Sequence, residues 1–176
     1  MAESLSTRIQ SSLRPIQDYP RLGATFFDST PVFRQGALLK EIVDALAAPF
    51  LGAGITHVVG VEPQGQILGG AVAAALGAGF ISARKPRKLP FIQVRQVYAL
   101  EYGGDRLEAR RDDFIQSDRV IVVDDVLASG GTAEAAGQLV RTLRGQVAGY
   151  SFMIEQVSEE GRDRLGNVAV HAIVRM

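Results

Sequence analysis

One segment near the middle of the chain constrains the fold most, because it joins an apolar strand to a helix through a short polar loop. Residues 119–123 include four consecutive β-branched apolar side chains, which predicts a buried strand. Asp124 and Asp125 follow directly, and a pair of glycines, Gly130 and Gly131, precedes a helical pattern over about residues 132–143. A strand, a glycine-containing loop and a helix in this order are typical of a parallel α/β sheet.

The rest of the chain repeats this alternation of strand and helix patterns. Periodic or small apolar side chains predict three helices, over residues 1–18, 37–51 and 67–76. Short apolar runs predict four further strands, over residues 58–61, 80–83, 147–154 and 168–174. Two strands on either side of Gly103-Gly104, over residues 95–102 and 106–110, predict a hairpin. We therefore expect an α/β fold with a mostly parallel sheet flanked by helices, in a single domain over residues 1–176.

Composition excludes several classes of site. The 19 Lys and Arg residues balance 19 Asp and Glu residues, which argues against a broad nucleic-acid-binding surface. The absence of cysteine excludes disulfides, thiolate zinc sites and a cysteine nucleophile. His57 and His171 are predicted to be strand residues, not ligands. Residues 67–80, the longest apolar stretch, are too few for a membrane span of about 20 residues. Because residues 1–14 also lack an export signal, we expect a cytoplasmic protein with no membrane or nucleic-acid partner.

The loop after the strongest strand carries groups suited to a sugar phosphate. In an open parallel sheet, ligands bind beyond the carboxyl ends of the strands. Glycines in this loop let backbone N–H groups approach a ligand, and the following helix start favours anions. Asp124 and Asp125 would repel phosphate, so we expect them to face sugar hydroxyls or a magnesium ion. A ligand such as ribose 5-phosphate satisfies the whole segment; the alternative is a plain turn with Thr132 as N-cap.

Residues 122–132 closely resemble the phosphoribosyl-pyrophosphate-binding motif of type I phosphoribosyltransferases, in the form found in the adenine-specific enzymes. Three other stretches agree with that family in the same order along the chain: residues 19–31, 84–90 and 100–103. The resemblance implies the Rossmann-like fold of that family, with a small hood and a flexible loop. It also implies transfer of the 5-phosphoribosyl group from phosphoribosyl pyrophosphate to adenine, with Mg²⁺ as cofactor, in a homodimer.

The resemblance implies a role for each segment. The donor's 5-phosphate would be held by a run of five residues: Ala128, Ser129, Gly130, Gly131 and Thr132. The ribose hydroxyls, or Mg²⁺ shared with them, would be held by Asp124 and Asp125. Pyrophosphate would be bound by three cations of the basic loop: Arg84, Lys85 and Lys88. Phe26 would stack on the base, and Glu101, in a mobile hood, would handle a proton of the purine ring. Each of these features also has a simpler explanation when it is considered alone. The basic loop could be an ordinary solvated loop, Glu101 could be an exposed carboxylate, and Phe26 could pack in the core.

Two positions depart from the family pattern. Gln64 stands where the loop after the first core strand usually carries an arginine that contacts pyrophosphate, and Phe27 replaces an arginine beside the base. A neutral bond in place of a charge-assisted one weakens binding by about 1–2 kcal/mol. Two interpretations therefore stay open: an active purine salvage enzyme for adenine, and a non-catalytic or altered-base paralogue that binds nucleotides as a sensor or regulator.

Overall fold

The fold is built around one parallel sheet with helices on both faces. The computed structural model describes residues 3–19, 22–23, 25–85, 93–99, 104–110 and 118–176, with only the backbone of residues 93–99 and 104–106. The helices are α1 (Leu5–Ser12), α2 (Thr30–Phe33), α3 (Gly36–Ala47), α4 (Gln64–Leu76) and α5 (Gly131–Thr142). The strands are β1 (Arg14–Gln17), β2 (Thr25–Asp28), β3 (His57–Val61), β4 (Gly79–Ala83), β5 (Gln93–Ala99), β6 (Gly104–Arg110), β7 (Arg119–Leu127), β8 (Gln146–Glu155) and β9 (Val170–Arg175).

The central sheet has five strands in the order β4-β3-β7-β8-β9, and every neighbouring pair is parallel. Two antiparallel pairs flank it, β1 with β2 and β5 with β6. A backbone bridge between Arg84 and Glu108 joins the end of β4 to β6. The predicted α/β class and the mostly parallel sheet are therefore confirmed.

The two faces of β7 bury two separate hydrophobic clusters. Val120 and Val122 belong to the cluster that includes α5, whereas Ile121 and Val123 belong to the cluster that includes α1, α3 and α4. Alternate side chains of a strand point to opposite faces, so a strand covered on both faces needs an unbroken apolar run. This requirement explains why residues 120–123 are the most apolar strand of the chain.

The predicted ends of the first helix and of the strongest strand were wrong. The first helix ends at Ser12 and not at residue 18, because Pro15 lacks the N–H that a helix interior needs, and residues 14–17 instead form β1. Strand β7 continues to Leu127, where it still pairs with Glu155 of β8. Asp124 and Asp125 therefore lie within the last part of a strand and not in the loop after it. Among the described residues, no helix combines the length and apolar character needed to cross a bilayer.

Candidate functional site

The two aspartates at the end of β7 form a linked, partly buried pair. The backbone N–H of Asp125 donates to Oδ1 of Asp124 at 2.9 Å. The hydroxyl of Ser29, a residue only 2% exposed, donates to Oδ2 of Asp125 at 2.6 Å. Ser29 lies between β2 and α2, so the N-terminal part of the chain reaches the end of the central sheet. Ser29 was not among the predicted site residues, since a serine between two elements carries no motif of its own.

The surroundings of this pair disfavour its negative charge. Burial, and next the charge of Asp125, raises the pKa of Asp124 well above its usual value, while an N–H of Gly65 opposes the shift. Burial likewise raises the pKa of Asp125, and the Ser29 hydroxyl opposes that shift. Carboxylates that have lost water without gaining enough donors are suited to accept hydroxyl groups or a cation.

The loop after β7 leads into α5 without a side-chain cap. Helix α5 begins at Gly131, and its N-cap is Gly130, with φ +77° in the left-handed region that favours glycine. The alternative of Thr132 as the N-cap is therefore wrong. The first intrahelical bond runs from the N–H of Glu134 to the carbonyl of Gly130 at 2.8 Å. The backbone N–H groups of residues 131–133 have no partner within the helix and point out of its N-terminal end. An anion can bind there.

These groups surround a small cavity at the start of α5. It has a volume of about 90 Å³ and is lined by Asp124 and residues 126–133. The structure thus brings together all five residues predicted to hold a phosphate, and places one of the two aspartates beside them. The arrangement offers N–H and hydroxyl donors on one side and a carboxylate on the other.

Gly161 packs against the back of this loop and was not among the predicted site residues. A Cβ atom on Gly161 would overlap the carbonyl oxygen of Ala128 and lie 2.7 Å from the nitrogen of Gly130. In the same way, a Cβ atom on Gly130 would overlap the carbonyl oxygen of Gly161. Two glycines are therefore needed for the two backbone segments to approach this closely. A glycine in a charged loop gives no local signal of such a contact.

The start of α4 approaches the aspartate pair from the neighbouring strand. Gln64 is the first residue of α4, and Gly65 lies so close to β7 that a Cβ atom would be 2.6 Å from Oδ1 of Asp124. The carboxylate of Glu62 accepts a bond from the backbone N–H of Lys85 at 3.1 Å. The start of the basic loop is thereby held to the segment that precedes α4.

The predicted residues of the basic loop and the hood are only partly described. Arg84 is half-buried and its backbone pairs with Glu108, whereas Lys85 is exposed. Lys88 and Glu101 lie outside the described residues. Their predicted roles stay predictions.

Phe26 and Phe27 lie in different surroundings although they are adjacent in β2. Phe26 is 42% exposed, and its ring meets that of Tyr19 edge to face at 5.4 Å between centroids, so core packing is not its role. Phe27 contacts the α3–α4 cluster and lines a cavity of about 600 Å³. That cavity is also bordered by a set of polar and apolar residues: Leu22, Gly23, Thr25, Gln156, Ser158, Glu159 and Met176. The N–H of Gln156 donates to the carbonyl of Leu127 at 2.8 Å, so this cavity adjoins the end of β7.

The two histidines lie in strands, as predicted. His57 begins β3, and its Nδ1 is 3.2 Å from Oδ1 of Asp118. Both residues lie at the amino ends of the strands, whereas the aspartate pair lies at the carboxyl end of β7. His171 lies in β9, where burial lowers its pKa. Within the part of the chain that the structure describes, no group of three or more His, Cys, Asp or Glu residues could hold a metal ion.

Comparisons with known proteins agree with this arrangement. The model of the phosphoribosyl transferase domain matches residues 32–173. An adenine phosphoribosyltransferase of Myxococcus xanthus is 45% identical over 171 residues, which cover 97% of this chain and 93% of that protein. A crystal structure of adenine phosphoribosyltransferase from Rhodothermus marinus superposes with a TM-score of 0.91 at 42% identity, covering 98% of each chain.

A more distant relative was solved with ligands. It is the adenine phosphoribosyltransferase of Saccharomyces cerevisiae, in complex with an imino-altritol bisphosphate and adenine. That structure is 34% identical with a TM-score of 0.88, and the match covers 94% of this chain and 96% of that one. The domain match, the relatives and the β7–α5 geometry agree, and the chain belongs to the phosphoribosyl transferase domain family.

Proposed function

We propose that the chain is an adenine phosphoribosyltransferase acting in purine salvage, with the whole of residues 1–176 as one domain. In the proposed reaction, the bond from ribose C1 to pyrophosphate breaks and a bond from C1 to a nitrogen of adenine forms. The proton of that nitrogen is released, and the products are AMP and pyrophosphate. The observation that carries the proposal is the aspartate pair beside the uncapped start of α5, which matches both ends of a ribose 5-phosphate.

In the proposed complex, different residues bind the phosphate, the ribose and the pyrophosphate according to the charge of each group. Residues 128–132 bind the 5-phosphate through N–H and hydroxyl donors, as the open start of α5 allows. Asp124 and Asp125 accept bonds from the ribose hydroxyls, and their negative charge stabilises the positive charge that develops on the ribose as pyrophosphate leaves. Gln64, Arg84 and Lys85, together with Lys88, bind pyrophosphate. Glu101 accepts the proton of the base, a contribution typically worth about 10²–10⁴-fold in rate.

The cavity of about 600 Å³ beside Phe27 is the proposed base site. It adjoins β7 through the bond between Gln156 and Leu127, and so it lies beside the ribose end of the phosphate site. Its wall includes Phe27. Phe26 does not line it, so a base stacked on the exposed ring of Phe26, as the resemblance implies, would lie on the other face of β2. The yeast relative with bound adenine supports a purine as the ligand of this site.

Asp124 and Asp125 fit a magnesium ion as well as ribose hydroxyls. Burial, and next the charge of Asp125, raises the pKa of Asp124, and a nearby divalent cation would oppose both effects by favouring the charged carboxylates. Magnesium prefers carboxylate and phosphate oxygens and keeps several waters, so it could be bound directly or through the donor. When bound, the ion neutralises charge on the leaving pyrophosphate.

An assay of the conversion of adenine to AMP tests the proposed function. Purified chain, phosphoribosyl pyrophosphate, Mg²⁺ and radiolabelled adenine are expected to give labelled AMP. Hypoxanthine, guanine and xanthine serve as competing bases. If no base is converted while the donor still raises the unfolding temperature, the sensor or regulator interpretation replaces this one.

The homodimer and the cytoplasmic location are also proposals, both drawn from the resemblance. β4 is an edge strand of the central sheet, and Phe80 on it and Ile67 on α4 are 41% and 53% exposed. Exposed apolar side chains on two elements that pack against each other favour a contact between two copies. Sedimentation at equilibrium is expected to give twice the chain mass, and Ile67→Glu is expected to give the mass of one chain.

Loss of the Ser29 hydroxyl is expected to weaken donor binding. Ser29→Ala removes the donor that holds Asp125 in place, so the Kd for phosphoribosyl pyrophosphate should rise about tenfold, which corresponds to about 1.4 kcal/mol. Titration calorimetry measures this change. The matched control is Ser151→Ala, another buried serine, which donates to the carbonyl of Leu46 at 3.0 Å and faces no part of the site. Ser151→Ala should lower the unfolding temperature but leave the Kd unchanged, and an unchanged Kd in Ser29→Ala would refute the role of Ser29.

Restoring a charge at residue 64 is expected to tighten donor binding. Gln64→Arg adds a charge-assisted bond to pyrophosphate of about 1–2 kcal/mol, so KM for the donor should fall by about 5- to 30-fold. KM for adenine should not change. Gln10→Arg adds the same charge on an exposed face of α1 and serves as the control. Equal effects of both variants would mean that only the overall charge matters.

A further inference from the structure

We infer that Arg162, through its ion pair with Glu155, is a positioning residue that holds Gly161 against the phosphate-binding loop of residues 128–130. The inference rests on the proposed function and adds two residues that touch neither the donor nor the base. In this inference, Arg162 and Glu155 maintain the conformation of the loop, and the conformation of the loop determines the affinity for the 5-phosphate.

The first step is the contact between Gly161 and the loop. The backbone of Gly161 lies so close to Ala128 and Gly130 that neither glycine could carry a side chain. Any shift of Gly161 would therefore either push the loop or leave a gap behind it. Since the N-cap of α5 is Gly130, such a shift would also move the first N–H groups of the helix.

The second step is the anchor beside Gly161. The carboxylate of Glu155, only 3% exposed at the end of β8, accepts bonds from Nε of Arg162 at 2.8 Å and from Nη2 at 2.5 Å. The remaining terminal nitrogen of Arg162 donates to the carbonyl of Val170 at 2.8 Å, at the start of β9. Bidentate pairs fix orientation as well as distance. Arg162 is thus fastened to two strands of the central sheet, and Gly161 is its direct neighbour in the chain.

The third step is that the other end of the same segment is also held. The N–H of Gln156 donates to the carbonyl of Leu127 at 2.8 Å, and the N–H of Val157 donates to the carbonyl of Met176 at 2.9 Å. Residues 156–162 are therefore fixed at both ends, with Gly161 pressed onto the loop between them. Of the residues that make these anchoring contacts, Arg162 is the nearest in the chain to Gly161.

The consequence is a selective effect on binding of the phosphate. The 5-phosphate keeps its place while the bond at ribose C1 breaks, so the loop binds the donor and the transition state alike. Loss of such uniform binding raises KM and leaves kcat unchanged. AMP carries the same 5-phosphate and should lose affinity by the same factor, whereas KM for adenine should stay constant.

The test compares two arginines on one carboxylate. Arg162→Ala is expected to raise KM for phosphoribosyl pyrophosphate and the Kd for AMP by about tenfold each, since a misplaced binding group commonly costs that much or more. Arg162→Lys, which keeps the charge but loses the fork, should give an intermediate value and covers the case in which the alanine variant does not fold. The control is Arg175→Ala: Arg175 binds Glu155 through Nε at 3.0 Å, but it belongs to β9 and is not a chain neighbour of Gly161. It should leave both constants within about twofold of wild type.

The readouts separate positioning from plain stabilisation. A residue that only stabilises the fold would lower the unfolding temperature and the active fraction, but it would not change KM for the donor. Unchanged KM and Kd in both Arg162 variants would overturn the inference, as would equal changes in Arg175→Ala. Failure of the wild-type chain to make AMP would refute the proposed function instead, and the Kd for AMP would still test the role of Arg162.

Discussion

Replacing both aspartates of β7 with asparagine is expected to abolish binding of phosphoribosyl pyrophosphate while the folded chain becomes more stable. Asp124→Asn with Asp125→Asn removes both negative charges, and with them the charge-assisted bonds from the ribose hydroxyls and any hold on magnesium. It keeps amide oxygens that can accept the bonds now made by the Asp125 N–H and the Ser29 hydroxyl. Calorimetric titration with the donor should show no heat of binding, and thermal unfolding should occur at a higher temperature.

The gain in stability follows from the direction of the pKa shifts. Burial raises both pKa values above the usual 3.8, so ionising the pair is harder in the folded chain than in the unfolded one. This penalty is absent below pH 3.8 and grows as the pH rises through the raised pKa values. The stability advantage of the double variant should therefore be present at neutral pH and disappear in acid.

A surface carboxylate provides the control for this result. Asp44 is exposed on α3 and pairs with Lys40 at 2.7 Å, so Asp44→Asn should change neither donor binding nor, by more than about 1 kcal/mol, the free energy of unfolding. Retained donor binding in the double variant would mean that the ribose lies elsewhere. Loss of binding together with a large loss of stability would mean that the pair is structural.

Adding a single methyl group at residue 65 is expected to damage both the fold and the site. In Gly65→Ala the new Cβ atom would lie 2.8 Å from the carbonyl oxygen of Val123 and 2.6 Å from Oδ1 of Asp124. The carbonyl belongs to the central strand and cannot move aside, so α4 must shift at a cost of about 1–3 kcal/mol. Asp124 would be displaced with it, and the Kd for the donor should rise at least about tenfold. Denaturant unfolding and calorimetry measure the two effects.

Gly70 offers a matched control on the same helix. No atom lies within 4 Å of the position that a Cβ atom would take on Gly70. Gly70→Ala should therefore stabilise the chain by about 0.5–1 kcal/mol, the usual gain of alanine over glycine inside a helix, and leave donor binding unchanged. Equal behaviour of the two variants would show that Gly65 is not needed for close approach.

The central strand and the loop after it could be predicted because their signals are local. Four consecutive β-branched residues, two aspartates and a pair of glycines occupy one short stretch of sequence, and the structure keeps them together as β7 and the start of α5. The extension of β7 to Leu127 could not be predicted in this way. Residues 124–127 form a strand because β8 continues beside them as far as Glu155, and a single sequence does not tell which strands are neighbours.

The partners of the site come from distant parts of the chain. Ser29 lies 96 residues before Asp125, and no pattern around it indicates a bond to a carboxylate. Gly161 follows the loop by about thirty residues and meets it only because β8 returns parallel to β7. The cavity beside Phe27 likewise joins β2 to residues after β8.

By itself the sequence determined the α/β class, the parallel sheet and the glycine-containing loop that the structure places at the start of α5. These features could be predicted because periodic burial and turn chemistry depend on residues that are neighbours in the chain. Only the tertiary structure decided what holds those residues in place: Ser29 on one aspartate, Gly65 against the other, and the pair of Glu155 with Arg162 behind the loop. The physical reason is that such contacts depend on the order and register of strands, which bring together backbone segments whose separation along the chain carries no signal.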